Sequence, residues 1–338
     1  MHMRYLFISL LALSTFSLPL RAGSDDTLAK RAAANAPVFM APSKTLCKNV
    51  IGVINPITNY NENYIFDRSI YELGLDTLPQ IKFWRSIMNL HQDTAIISLA
   101  ESRGFIQKMS IRDWNAKSDS SKKYYRDSIR CARNLDSTNR ILFTTGKKFF
   151  YDFDRTSQNF EKGIHCFVQN NVDPWYAQAI LLIESPNKLQ KSNVGAYGPF
   201  QLMKDVAKMY GLKVNKHLDE RADFERSAYA ASSLIKNICI PRANRILDSL
   251  KISNVNPDEL WYKLLVMHIY HAGAYNVQKA VFTCNPCDGD INLILTLWRT
   301  QTARFKSASQ NYSQLILAAM LEMNERSNAL AILNSKKQ

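Results

Sequence analysis

Between Asp173-Pro174 and Pro186 the chain admits one local structure, an apolar helix that runs straight into a carboxylate and stops. Asp173 supplies the N-cap acceptor and Pro174 the first helical position. Pro186 ends the helix, because the residue before a proline is pushed out of the helical region. The sequence between is Trp175-Tyr176-Ala177-Gln178-Ala179-Ile180-Leu181-Leu182-Ile183-Glu184. Leu181, Leu182 and Ile183 belong in a core, so Glu184 falls on the last turn, where the negative end of the helix dipole disfavours a carboxylate. Burial and dipole both raise its pKa toward that of a proton donor at neutral pH. Taken alone, the segment fits a frayed, exposed glutamate equally well. The residues that follow decide between the two.

From about residue 152 onward the pattern is helical. Helices are expected over 160–170, 174–184 and 199–210, the last closed by Gly211, then from an Asp223 cap, from Pro257 to Tyr270, and from Tyr312 to Leu330. Residues 44–150 mix signals. Thr94 to Leu99 and Phe105 to Ile111 read as strands joined around Arg103-Gly104, Trp114 to Leu135 as a charged helix, and Arg140 to Thr145 as a further strand before a turn at Gly146. No Gly/Ser/Pro linker divides the two parts, which should pack together. The fold class expected is α+β: a small mixed N-terminal region (44–150), then a mostly α-helical domain (151–330).

The first residues read as a secretory signal. Arg4 gives the positive region, Leu6 to Leu18 the apolar core, and Leu20-Arg21-Ala22 a small-residue cleavage site before Gly23. A spanning helix needs about 20 apolar residues, and Pro19 and Arg21 interrupt the run first. Residues 1–22 are thus expected to be removed, 23–43 to form a mobile leader, and the mature chain, with no transmembrane segment, to reach the periplasm or cell envelope. The formal charge of +14, which falls to +12 once Arg4 and Arg21 leave with the signal, points there to anionic envelope polymers or membrane surfaces, and no nucleic-acid-binding motif is present. Solubility alone explains the charge equally well.

Cys47, Cys131, Cys166, Cys239, Cys284 and Cys287 form an even set, which in an oxidising compartment predicts disulfides, with Cys284 and Cys287 oxidised. A zinc reading competes, because His268 and His271 with those two cysteines make a two-His two-Cys set. Export favours disulfides, so neither metal nor cofactor is expected.

Eleven residues after Glu184 comes Gly195-Ala196-Tyr197-Gly198-Pro199-Phe200-Gln201. Glycines three apart let a ligand or a second segment approach the backbone, and Gln201 offers amide donors and an acceptor to a sugar. Further on stand Asp219-Glu220-Arg221-Ala222-Asp223, Ile269-Tyr270-His271-Ala272-Gly273 and Asn311-Tyr312. In this order, with Glu184-Ser185 and Ser192, the segments resemble the lytic transglycosylase domain of the soluble and membrane-bound D type, related to goose-type lysozymes. The resemblance covers roughly residues 155–325. It departs from the family at Ile269, which replaces Ala, and at His271, which replaces Asn and brings a side chain that charges near pH 6.5.

The resemblance implies a lysozyme-like domain that cleaves peptidoglycan glycan strands without hydrolysis. Glu184 would be the single general acid and base, oriented by Tyr270 and Ser185. Ser185, Ser192, Gly195, Gly198, Gln201, His271 and Tyr312 would form the substrate-binding surface, although Tyr312 fits a core aromatic under the last helix equally well. Residues 44–150 would be free to contact an envelope protein. One alternative is a lysozyme-like hydrolase, in which water attacks. The other is a non-catalytic glycan-binding or scaffold protein, supported only by Ile269 and His271.

Overall fold

A computed structural model of the chain describes residues 50–54, 61–184, 191–253, 255–302 and 304–335. The expected signal and leader, and Cys47, lie outside the described residues. The protein is α+β, with a small sheet region first and helices after it.

Strands β1 (Val50–Ile54) and β2 (Asn61–Ile65) form an antiparallel pair. Helix α1 (Ser69–Glu72) leads to α2 (Pro79–Asn89), which opens on a proline and buries Ile81, Phe83, Trp84, Ile87 and Met88 along one face. β3 (Thr94–Leu99) and β4 (Phe105–Ser110) flank the Arg103-Gly104 turn as expected. The expected helix from Trp114 to Leu135 is two helices, α3 (Ile111–Asn115) and α4 (Asp119–Ala132), each started by a serine cap, Ser110 and Ser118. β5 (Ile141–Thr145) completes a three-stranded antiparallel sheet ordered β4-β3-β5, with Ala95, Ile96, Ile97 and Ser98 of the central strand all buried.

The helical part runs α5 (Phe153–Ser157), α6 (Phe160–Gln169), α7 (Trp175–Glu184), α8 (Lys204–Met209), α9 (Phe224–Leu234), α10 (Ile240–Ser249), α11 (Leu260–Ala272), α12 (Ala274–Cys284), α13 (Ile291–Leu297) and α14 (Ser307–Ser335). The first turn of α7 is capped as expected: Asp173 Oδ1 accepts from the Trp175 N–H at 2.8 Å. Asp223 likewise caps α9, accepting from Arg226 N–H at 2.8 Å. Helices α7 and α11 are apolar nearly all round and accordingly buried nearly all round, forming the centre of the core.

Two expectations are corrected. The helix expected from Pro199 begins only at Lys204. Tyr197 and Leu202 pair as an antiparallel bridge, with N–H···O distances of 3.1 and 3.0 Å, and so use backbone groups that a helix starting at Pro199 would need. The expected oxidation of Cys284 and Cys287 is not observed either, since the five described cysteines are free. Cys284 closes α12 with its Sγ 3.0 Å from Thr300 Oγ1, and Cys287, beyond the left-handed Asn285, is exposed.

The N-terminal region and the helices share one core. Ile65 and Gln178 exchange two hydrogen bonds of 2.7 Å, backbone to side-chain amide. Trp84 Nε1 donates to Gln314 Oε1 at 3.0 Å, and Arg85 pairs with Glu322 at 2.5 Å, so α2 is fixed along α14. No described helix is long and apolar enough to cross a membrane.

Candidate active site

Glu184 ends α7, with Leu181, Leu182 and Ile183 buried behind it and its own side chain partly open to solvent. Burial raises its carboxyl from 4.5 to about 7, against a smaller opposing pull from the Tyr312 hydroxyl. That hydroxyl donates to Glu184 Oε1 at 2.9 Å. Tyr312 is buried on the first turns of α14 and stacks on His271, with centroids 4.1 Å apart and planes at 21°. Tyr151 and Tyr270 also lie within range of its charge. Burial first, and the Glu184 charge second, push both phenols up.

The hydroxyl expected on Glu184 therefore comes from Tyr312, not Tyr270. Tyr270 instead donates to the Phe200 carbonyl at 2.6 Å and ties the end of α11 to the turn at 197–202. His271 does not bring a charge: burial pushes its imidazole down to about 4, so at neutral pH it is a neutral ring under Tyr312. His268 is buried behind it, with Nε2 2.9 Å from Ser313 Oγ. Among the described residues no three His, Cys, Asp or Glu side chains group as metal ligands.

The glycine turn is built by Arg221. This side chain is 2% exposed. It forms a two-point pair with Asp219 at 2.8 and 2.7 Å, and its Nη1 donates to the carbonyls of Gly195 at 2.8 Å and Leu202 at 2.9 Å. Gly198, at φ +88°, lies so close beneath it that a Cβ would stand 1.8 Å from the Arg221 carbonyl oxygen. Ser192 Oγ accepts from Ala196 N–H at 2.9 Å, while Gln201 adopts a left-handed conformation with Nε2 3.1 Å from the Gly198 carbonyl. The Asp219–Asp223 run thus shapes the turn rather than contributing reactive groups. Ser185 lies outside the described residues.

Residues 166–283 match the family model described as the transglycosylase SLT domain. Members of that domain family are lytic transglycosylases acting on peptidoglycan, and the match supports such an activity in general. No curated protein matches the chain. Glu184, the glycine turn, Arg221 and Tyr270 fall inside the matched segment, whereas Tyr151 and Tyr312 fall outside it. Tyr312 stands out in the sequence through its Asn-Tyr pair, which lies on the first turns of α14, but its contact with Glu184 has no local signal. Tyr151 had none at all.

Proposed function

We propose that the chain is an exported peptidoglycan lytic transglycosylase of the cell envelope, with Glu184 as its only acid and base. The observation that carries this reading is a carboxyl raised to about 7 by burial at the end of α7 and held by one phenol. Among the described residues no second acid acts on it, which suits chemistry that needs neither a carboxylate nucleophile nor an activated water. Glu184 gives its proton to the glycosidic oxygen between N-acetylmuramic acid and N-acetylglucosamine, and that bond breaks. The substrate's own acetamido group stabilises the cationic carbon. Glu184 then takes the proton of the muramoyl 6-hydroxyl as this oxygen bonds to the same carbon, leaving a 1,6-anhydro end and consuming no water. Tyr312 orients the carboxyl. The turn shaped by Ser192, Gly195 and Gly198 presents Gln201 to the glycan, and Tyr270 holds that turn.

Digestion of purified peptidoglycan by the mature protein, followed by mass analysis of the muropeptides, tests this. Anhydro ends are expected. Reducing ends would identify a hydrolase, and binding without cleavage a scaffold. Glu184→Gln should lose at least the roughly 10²–10⁴-fold that general acid–base catalysis contributes, while glycan binding persists.

A further inference from the structure

Arg103 is an expensive residue for a turn. It stands between β3 and β4 at φ +56°, a left-handed conformation that disfavours any residue with a Cβ, and its side chain is only 6% exposed. Burial and the neighbouring Arg140 lower its pKa to about 10, and among the described residues no carboxylate offsets its charge. An uncompensated buried charge is strongly disfavoured. In return, its guanidinium lies over the rings of Phe83 and Trp84 at 5.0 and 5.2 Å. Its Nη2 donates to Asn311 Oδ1 at 3.0 Å.

Asn311 directly precedes Tyr312 on α14. Three residues beyond Asn311, on the same helix face, Gln314 accepts from Trp84 Nε1 at 3.0 Å. The N-terminal region therefore grips the first turns of α14 at two successive points, and the next residue around that helix carries the hydroxyl on Glu184.

We propose that Arg103 is a positioning residue of the Glu184 site, holding Asn311 so that the start of α14 keeps the Tyr312 hydroxyl on the carboxylate. The proposal rests on reading Glu184 as the acid and base. It gives residues 44–150 a part in the reaction without touching substrate. A shift of about 1 Å in α14 would carry a 2.9 Å hydrogen bond out of range, and errors of that size in positioning are felt strongly in rate.

Two readouts test it in the full chain. The first is the pH dependence of kcat on peptidoglycan. The second is carbon-13 NMR titration of the Glu184 carboxyl, its resonance assigned by its loss in Glu184→Gln. Arg103→Met keeps the apolar stem but removes the donor. It should lower kcat about tenfold with KM nearly unchanged, and raise the Glu184 pKa, because the hydroxyl that stabilises the carboxylate is no longer held. Tyr312→Phe should shift the pKa the same way, and the double variant should shift it no further than Tyr312→Phe alone. Asn311→Ala cuts the same link from the other side and should reproduce the shift if Arg103→Met folds poorly. Folded Arg103→Met or Asn311→Ala with a wild-type carboxyl titration would overturn the proposal, as would additive shifts in the double variant. If the wild type fails to cleave peptidoglycan, the function reading falls, and the titration still decides the positioning role.

Discussion

Glu184 titrates in the opposite sense from an ordinary structural carboxylate, and two consequences follow. As a proton donor it is protonated and neutral below about 7 and ionised above it, so the activity proposed above should decline as pH rises through that value. A pH profile of initial rate on peptidoglycan checks this. Stability moves the same way. The unfolded chain titrates this group near 4.5 and the folded chain near 7, so between those values the folded state holds the extra proton. Its contribution is therefore fully present below about 4.5 and is lost as pH climbs to 7, a change on the order of 2–3 kcal/mol. Glu184→Gln has no proton to lose and keeps a side chain that can accept from Tyr312. It should melt above the wild type at pH 8 and show little or no advantage at pH 5, which calorimetry at the two values would reveal. His271 adds nothing to either profile near neutrality, since burial keeps it uncharged above about 4. His271→Asn should therefore leave the shape of the pH profile between pH 5 and pH 7 unchanged.

At the scale of elements, the turn at 195–202 depends on one buried cation as well as on its glycines. Arg221 closes two carbonyls of the turn and pairs with Asp219. Arg221→Met should cost about 3 kcal/mol by stranding those acceptors and the partly buried Asp219. Gly198→Ala, which forces a Cβ against the Arg221 carbonyl, should cost about as much or more. Urea unfolding of each variant measures both. The same turn shows where the chain could be read and where it could not. Asp173, Pro174 and the apolar run located α7 and its carboxylate, because caps and periodicity act within a few residues. Short runs rich in β-branched and apolar residues, bounded by turn signals at Arg103-Gly104 and Gly146, likewise located β3, β4 and β5. The turn resembles a helix start in the sequence because Pro199 is equally at home in a tight turn and at the head of a helix. The bridge that decides it, Tyr197 with Leu202, is held by Arg221, 19 residues beyond Leu202 and so outside any local pattern. Tyr312 failed to announce its role for the same reason, since 128 residues separate it from Glu184.

On the scale of the whole molecule, residues 50–150 contribute core rather than an appendage. Ile70, Leu75, Ile81, Trp84 and Ile87 are essentially inaccessible and belong to the same cluster as α7, α11 and α14. Each such side chain is worth roughly 1.5–3 kcal/mol when buried. Stripping them from the helices would forfeit on the order of 10 kcal/mol, comparable to the whole stability of an ordinary domain. The polar links point the same way: without Ile65, Gln178 is left as a buried amide with both partners missing, and Gln314 loses Trp84. The full chain should therefore unfold in urea as one cooperative transition, with ring fluorescence and helical circular dichroism coinciding. A fragment spanning 151–335 should lack that transition and bind a hydrophobic dye, although it contains Glu184, Tyr270 and Tyr312. Two separated transitions in the full chain, or a fragment that unfolds cooperatively with near-native stability, would show that the helices stand alone. The first 150 residues would then have to be explained by what they contact rather than by what they hold in place.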